Sequence, residues 1–473
     1  MRPSIGSLDN GGGSAAPLPD LPPEIVKHIL SLLPLKYAMQ AALVAKAYKD
    51  VWRHSQIIEF DACSFHSLTF ASIADIIDRI FAMHDGPIIK AVSLCLLTTA
   101  RCHESEVVSW IQKAISKGVE TLILNFVKGA GTVIISAEDI DISSVRVLKL
   151  SGCEIDVLPR ARSIEFLKVI SFQKVRFTET IIPTLIERCP LLESLELVSC
   201  KSFRRLKIVT CMTGRLRVLK LMDCSRALTI EVCVPTLRTF HFHGPITCFD
   251  RVDLKQLNDV IICFLPPRIL PGLRNFMNIL EGLERVVVQT ISATFLEGLF
   301  QYPNGTMVTE PKHLLPNLEE VQLLIDRGTY INIRNIVSFL LKCPRAERVY
   351  IDMNEAGNDA DWNVYQDGEI GLLPTLKSPR FVALDGFVFS RNHHAALAYL
   401  FLLKAVGLET LVVIPPSSRW NSYHTRRVDI PQYMRSFRYM KSIWSKLNPK
   451  VDIKIHNSVT CFNPPAHIIS SWY

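Results

Sequence analysis

Apolar residues recur along this chain at two different periods, and the change of period divides it. From Pro22 to Pro34 the pattern is helical: Ile25, Val26, Ile29, Leu30, Leu32 and Leu33 fall at three- and four-residue spacing, with Glu24, Lys27 and His28 between them. Pro22 and Pro23 suit the first turn, where a missing backbone donor costs nothing. Pro34 ends the helix, because the residue before a proline is pushed out of the α region. A second helical pattern runs through Ala38, Ala41, Ala42, Ala45, Tyr48 and Trp52. Two helices of this size carry more apolar surface than they can hide in each other, so they either dock on the rest of the chain or present a face to a partner.

Between about residues 85 and 415 the period shortens to two, which indicates strands. The clearest copies read L-x-x-L-x-L-x-x-C: Val145/Leu148/Leu150/Cys153, Leu192/Leu195/Leu197/Cys200 and Leu216/Leu219/Leu221/Cys224. Weaker ones are Leu167/Ile170/Phe172/Val175 and Leu237/Phe240/Phe242/Pro245. Their second apolar positions, 148, 170, 195, 219 and 240, are separated by 22, 25, 24 and 21 residues, within the roughly 20–29 residues of a leucine-rich repeat. Such a unit cannot bury its apolar face alone, so neighbouring copies stack into a solenoid. Early copies are expected at Val92/Leu94/Leu96 and Leu122/Leu124, and later ones centre on Val260, Val286, Val321, Val349, Leu384 and Leu411. Helical returns are expected at 180–190 and 336–344, a further helix at 395–405, and one more strand at 451–455. The small cysteines that close the copies read as structural.

The fold class that follows is an α/β solenoid: small all-α helices at the N-terminus, then an irregular horseshoe of repeats with a C-terminal cap. In the repeats, Val147/Lys149/Ser151, Val169/Ser171/Gln173, Ser194/Glu196/Val198, Val218/Lys220/Met222 and Thr239/His241/His243 flank the buried residues and face outward on the concave side. That mixed surface suits a protein or peptide partner better than a phosphate backbone, and Lys149, Glu196, Lys220, His241 and His243 are its candidate contacts.

Composition narrows the class. Across 473 residues, 48% are hydrophobic and the mean hydropathy is +0.22, which indicates a buried, ordered protein. No apolar run reaches the roughly 18 residues that cross a bilayer, and the first twenty residues lack the core of a secretory signal, so a cytoplasmic or nuclear location is expected. The 13 cysteines include no C-x-x-C pair, which supports neither a disulfide framework nor a zinc ribbon. The net charge of +8 is spread along the chain without a basic stripe, against nucleic-acid binding. No phosphate loop, nucleophile elbow or H-E-x-x-H is present. Cys102-His103-Glu104 reads as a surface loop and His393-His394 as a turn. His241 and His243 share a strand face but lack a third ligand, and read as an exposed pair. No metal, cofactor or catalytic site is expected.

The N-terminal segment resembles a plant-type F-box through Leu21-Pro22, Glu24-Ile25, Ile29-Leu30-Ser31, Leu33-Pro34, Lys36, Ala38, Val44, Lys46 and Trp52. Where that family tends to Ser-Lys-Arg-Trp, this chain reads Ala45-Lys46-Ala47-Tyr48. The segment 381–415 resembles the FBD region of plant F-box/LRR proteins. These resemblances imply a tail at 1–17, an F-box at 18–55, a leucine-rich-repeat solenoid at 56–380 and an FBD-like cap at 381–473. They further imply docking of a Skp-family adaptor through Leu21, Pro22, Ile25, Ile29, Leu30, Leu33, Pro34, Val44, Tyr48 and Trp52. Through that adaptor the chain would join a cullin-RING ubiquitin ligase as a non-catalytic receptor for an unknown protein substrate. A scaffold with the same solenoid but no ligase engagement is the alternative.

Overall fold

The computed structural model describes residues 22–44, 50–61, 70–96, 104–126, 133–136, 141–158, 164–212, 214–245, 247–265, 279, 282–300, 315–325, 332–354, 370–416, 430–456 and 464–467. Its strands are β1 (Ile57–Asp61), β2 (Ala91–Cys95), β3 (Thr121–Asn125), β4 (Val133–Ser136), β5 (Val147–Ser151), β6 (Cys153–Val157) and β7 (Val169–Gln173). They continue with β8 (Ser194–Val198), β9 (Arg205–Val209), β10 (Val218–Met222), β11 (Thr229–Cys233), β12 (Thr239–Gly244), β13 (Cys248–Asp253) and β14 (Asp259–Phe264). The last are β15 (Val288–Ser292), β16 (Glu320–Leu324), β17 (Arg348–Asp352), β18 (Phe381–Asp385), β19 (Thr410–Val413) and β20 (Asp452–Ile455). Fifteen of them form one parallel sheet in the order β1-β2-β3-β5-β7-β8-β10-β12-β14-β15-β16-β17-β18-β19-β20, each beside the next along the chain.

The register is the one the repeat spacing predicts. Leu148, Ile170, Leu195, Leu219 and Phe240 are successive Cα partners across β5, β7, β8, β10 and β12. Four of them are 0% exposed and stack into a continuous apolar core that reaches from Leu35 to Ile453. β5, β7, β8 and β10 are each followed by a left-handed residue, Gly152, Lys174, Ser199 and Asp223, with φ between 53° and 70°. That turn keeps the ladder running: Lys174 N–H donates to Val198 O and Ser199 N–H to Met222 O. It also delivers Cys153, Cys200 and Cys224 inward, where Cys200 Sγ contacts Phe172 O at 3.4 Å. Burial pushes these thiols up to about 12, 11 and 12, which suits packing and not nucleophilic chemistry.

Helical returns cover one side of the sheet: Ile181–Arg188, Ile333–Leu341 and Asn392–Lys404 stand within three residues of their expected places. In the tightest repeats the returns are strands instead. β9, β11 and β13 pair in parallel as a second small sheet, and β4 pairs β6 as a third. The local sequences RLKIV and TIEVC alternate with period two, and a bulge adds one residue to CFDRVD. Spacing and not repeat length decides, since the 25-residue step from Ile170 to Leu195 holds the helix Ile181–Arg188.

Two expected strand centres fall off register. Gln289, not Val286, partners Val260, and Val382, not Leu384, partners Val349. Val286 and Leu384 are fully buried nonetheless, so apolar character alone did not separate the strand centre from its neighbours. The His393-His394 pair is also misplaced by the turn reading. Both residues are buried in the helix Asn392–Lys404, because the apolar run AALAYLFLL carries them into its first turn. Cys102-His103 lies outside the described residues.

The N-terminal helices are α1 (Pro23–Ser31) and α2 (Leu35–Val44), followed by a 3-10 turn at Val51–His54. They are tied directly to the first repeat. Pro34 bridges to Ile57, Gln56 N–H donates to Ser31 O at 2.7 Å, and the buried Ser55 hydroxyl donates to Leu33 O at 2.7 Å. Leu35 belongs to the main core and Trp52 packs against it. Among the described residues no helix is long and apolar enough to cross a membrane.

If the ladder carries the stability, Leu219→Ala lowers it by about 2–5 kcal/mol, whereas exposed Lys149→Ala changes it by less than about 0.5 kcal/mol. Urea unfolding of the two variants measures the contrast; equal losses would contradict this picture.

Candidate functional site

Two surfaces combine exposure with a fixed scaffold, one on the helices and one on the sheet. On the helices, Leu35 and Ala38 turn inward, at 3% and 0% exposure, while Ile25, Ile29, Leu32, Tyr37, Met39 and Leu43 remain between 45% and 88% exposed. Ile25 and Ile29 share one face of α1, and Leu32, the residue that caps its C-terminal end, continues the three- and four-residue spacing. Exposed apolar side chains grouped in this way mark a contact surface.

The structure sorts the expected adaptor contacts into two sets. Pro22, Ile25 and Ile29 are exposed and Leu30 is half-buried, whereas the half-buried Leu33, Pro34 and Trp52 serve the junction with the first repeat. Leu21 and Tyr48 lie outside the described residues, and Val44 ends α2. Tyr37, Met39 and Leu43 escaped the sequence pattern, which follows the small alanines along α2; these three are exposed while Leu35 and Ala38 are buried.

On the sheet, the expected contacts form a single row. Lys149, Ser171, Glu196, Lys220 and His241 are successive Cα partners, and the row continues through Ile261, Thr290, Gln322 and Tyr350. Along it the burial changes. Lys149 is exposed, and Ser171, Glu196 and Lys220 are half-exposed, with Ser171 donating to Glu196 at 3.1 Å. Beyond them Ile261, Thr290, Gln322 and Tyr350 are at most 5% exposed.

His241 and His243 stand at this boundary and are not the exposed pair that their spacing suggested. Side-chain exposure is 12% for His241 and 7% for His243. His243 Nδ1 is 2.7 Å from Asp223 Oδ1, and His241 Nε2 is 3.2 Å from Asp259 Oδ1. Across them lies a segment remote in sequence, Pro464–His467. His467 Nε2 donates to Asp259 Oδ1 at 2.6 Å, and its ring meets that of His241 edge-on at 5.2 Å. Its Nδ1 is 2.7 Å from the Thr290 hydroxyl, and Ala466 N–H donates to Glu320 Oε1 at 2.7 Å.

The missing third ligand of the histidine pair thus exists, since His241, Asp259 and His467 bring their donor atoms within 4.8 Å of one another. Two ligands on a tetrahedral zinc stand about 3.3 Å apart, given bonds near 2.0–2.1 Å. The 2.6 Å between His467 and Asp259 is shorter and fits a hydrogen bond. Burial opposes a charge on Asp259, yet the hydrogen bonds from His241 and His467 outweigh it and hold the carboxyl well below the usual range. Burial lowers His241. Asp259, Thr290 and Glu320 could have been found as polar residues interrupting apolar strands. His467, 208 residues from Asp259, carries no sequence signal of its place.

Comparison with known proteins bears on both surfaces. A leucine-rich-repeat domain described as At1g61320/AtMIF1 matches residues 80–413, and an F-box domain matches residues 18–60. Two Arabidopsis thaliana relatives match most of the chain. The FBD-associated F-box protein At1g61330 is 23% identical over 85% of this chain and 92% of its own. The FBD-associated F-box protein At1g61320 is 22% identical over 90% and 94%. A solved structure, "Crystal structure of TLR13-ssRNA13 complex", aligns at a TM-score of 0.31 and 12% identity, covering 69% of this chain and 56% of that one.

The carboxylate of Asp259 gives a pH signature. A carboxyl held low in the fold contributes stability above its unfolded value near 4, and loses it as the pH falls through the folded value. The stability gap between the wild type and Asp259→Asn should therefore be widest at pH 6–7 and narrow below about 4. Urea unfolding across that range reads it, and a constant gap would contradict the arrangement.

Proposed function

This chain belongs to the family of the At1g61320/AtMIF1 leucine-rich-repeat domain and carries an F-box ahead of it, and from that premise we propose that it is the substrate-recognition subunit of an SCF-type (Skp–cullin–F-box) ubiquitin ligase. The observation that carries this reading is the uncovered apolar face of α1 and α2, on helices whose opposite side is fastened to the first repeat. An F-box implies a Skp-type adaptor in general. Ile25, Ile29 and Leu32, joined by Tyr37, Met39 and Leu43, are the contacts we assign to it, with the half-buried Leu33, Pro34 and Trp52 holding them in position.

The open part of the sheet face, at Lys149, Glu196 and Lys220, is the surface we assign to the protein target. The receptor performs no chemistry in this scheme. It raises the local concentration of target lysines beside a charged ubiquitin, and a rigid junction between helices and repeats makes that proximity effective. The roles divide at the junction: residues 18–55 dock, 56–380 present the target, and 381–473 close the solenoid. A cytoplasmic or nuclear site of action accords with ubiquitin transfer.

Placing a charge in an apolar contact of this kind costs at least about 2 kcal/mol, a loss of roughly 30-fold in affinity. Ile29→Glu combined with Leu32→Glu should abolish co-purification with a Skp-family adaptor while the thermal transition of the repeats stays in place. Retained adaptor binding by that variant would remove the contact from this face, and no adaptor binding by the wild type would favour a scaffold outside the ligase. Charge reversal at Lys149 and Lys220 should leave the adaptor bound and change the remaining partners in a pull-down; an unaltered set would remove the target from this face.

A further inference from the structure

Pro464–His467 contacts the sheet in a manner unlike any repeat. It pairs with no strand among the described residues, and its hydrogen bonds run to side chains: Ala466 N–H to Glu320, and the His467 ring to Asp259 and Thr290. Pro465 and His467 are buried while Pro464 and Ala466 are exposed, so alternate residues enter the sheet face as those of a bound extended peptide do.

The receiving groups are held by partners of their own. Glu320 is 2% exposed, paired with Arg348 at 3.1 Å and accepting from Gln322 Nε2 at 2.7 Å. The Thr290 hydroxyl lies 3.1 Å from Gln322 Oε1. Asp259 keeps His241 at 3.2 Å. A site whose side chains are fixed before the ligand arrives binds without the cost of ordering them. Removal of His467 therefore leaves a preformed site with the Thr290 hydroxyl and the Glu320 carboxylate at its floor and the more exposed Asp259 carboxylate at its rim.

Taking this sheet face as a binding surface, as above, we propose that Pro464–His467 is a resident, exchangeable ligand, and that the site recognises an extended segment of a partner protein with the pattern Pro-x-His. The proline is the buried first position, the backbone N–H of the middle residue meets Glu320, and the imidazole donates to Asp259 between His241 and Thr290. A tethered segment competes at an effective concentration in the millimolar range, so the chain's own copy excludes weak ligands and admits only a partner that binds more tightly.

The test uses the full-length chain and no adaptor, so that failure of ligase docking cannot affect it. A fluorescent peptide spanning residues 462–471 is titrated by anisotropy against the wild type and the His467→Ala chain. The labelled peptide should bind the His467→Ala chain at least about tenfold more tightly than the wild type, since the variant has lost a charge-assisted bond of the resident segment. A peptide carrying alanine in place of its histidine should bind neither. Thr290→Val in the His467→Ala background, a change that preserves volume, should weaken peptide binding while the thermal transition holds. Absence of peptide binding to a folded His467→Ala chain, or equal binding of the two peptides, would overturn the proposal. So would binding that appears only when zinc is added, which would make the contact a metal bridge.

Discussion

One register shared by parallel strands from Ile57 to Ile455 decides where every other side chain of this protein goes. Side chains alternate across a strand, so a slip of one residue would carry the leucine ladder to solvent and the charged row into the core. Left-handed residues at Gly152, Lys174, Ser199 and Asp223 guard against that slip. Each makes the chain turn immediately after its strand while its backbone N–H stays in the ladder. The buried thiols of Cys153, Cys200 and Cys224 follow from the same turn, as does the alignment of Lys149, Glu196, Lys220 and His241 in one row.

The ladder also sets the relation between the two candidate surfaces. β1 emerges from the 3-10 turn at Val51–His54, and Ser55 and Gln56 bond back to Leu33 and Ser31. The helices are therefore continuous with the first strand and do not hang from a flexible linker. Their apolar contents divide accordingly: Leu35, Ala38 and Trp52 serve the junction, and Ile25, Ile29, Leu32 and Leu43 stay outside. A face kept uncovered at such cost to solubility calls for a partner.

Much of this architecture was legible in the sequence, for a physical reason. A repeat writes the same constraint many times, so Leu148, Ile170, Leu195, Leu219 and Phe240 announced their own partnership. Where one copy replaces the apolar residue, as Gln289 does, a nearby valine, here Val286, misleads. Returns were harder to read, because a short helix and a short strand differ only in the spacing of a few residues, as Arg205–Val209 illustrates. The sheet face was half legible. Lys149, Glu196 and Lys220 were placed from period alone, but the covering of His241 depends on His467, 226 residues later in a stretch without periodicity. Contacts between segments so far apart are specified by tertiary structure and leave no local trace.

The division of labour between the helix face and the sheet face can be tested by hydrogen exchange with mass spectrometry on the full-length chain, alone and with a Skp-family adaptor. Added adaptor should slow exchange within residues 22–44 and leave β5, β7, β8 and β10 unchanged. Slowing on those strands, or no slowing at 22–44 in a complex that demonstrably forms, would contradict the account.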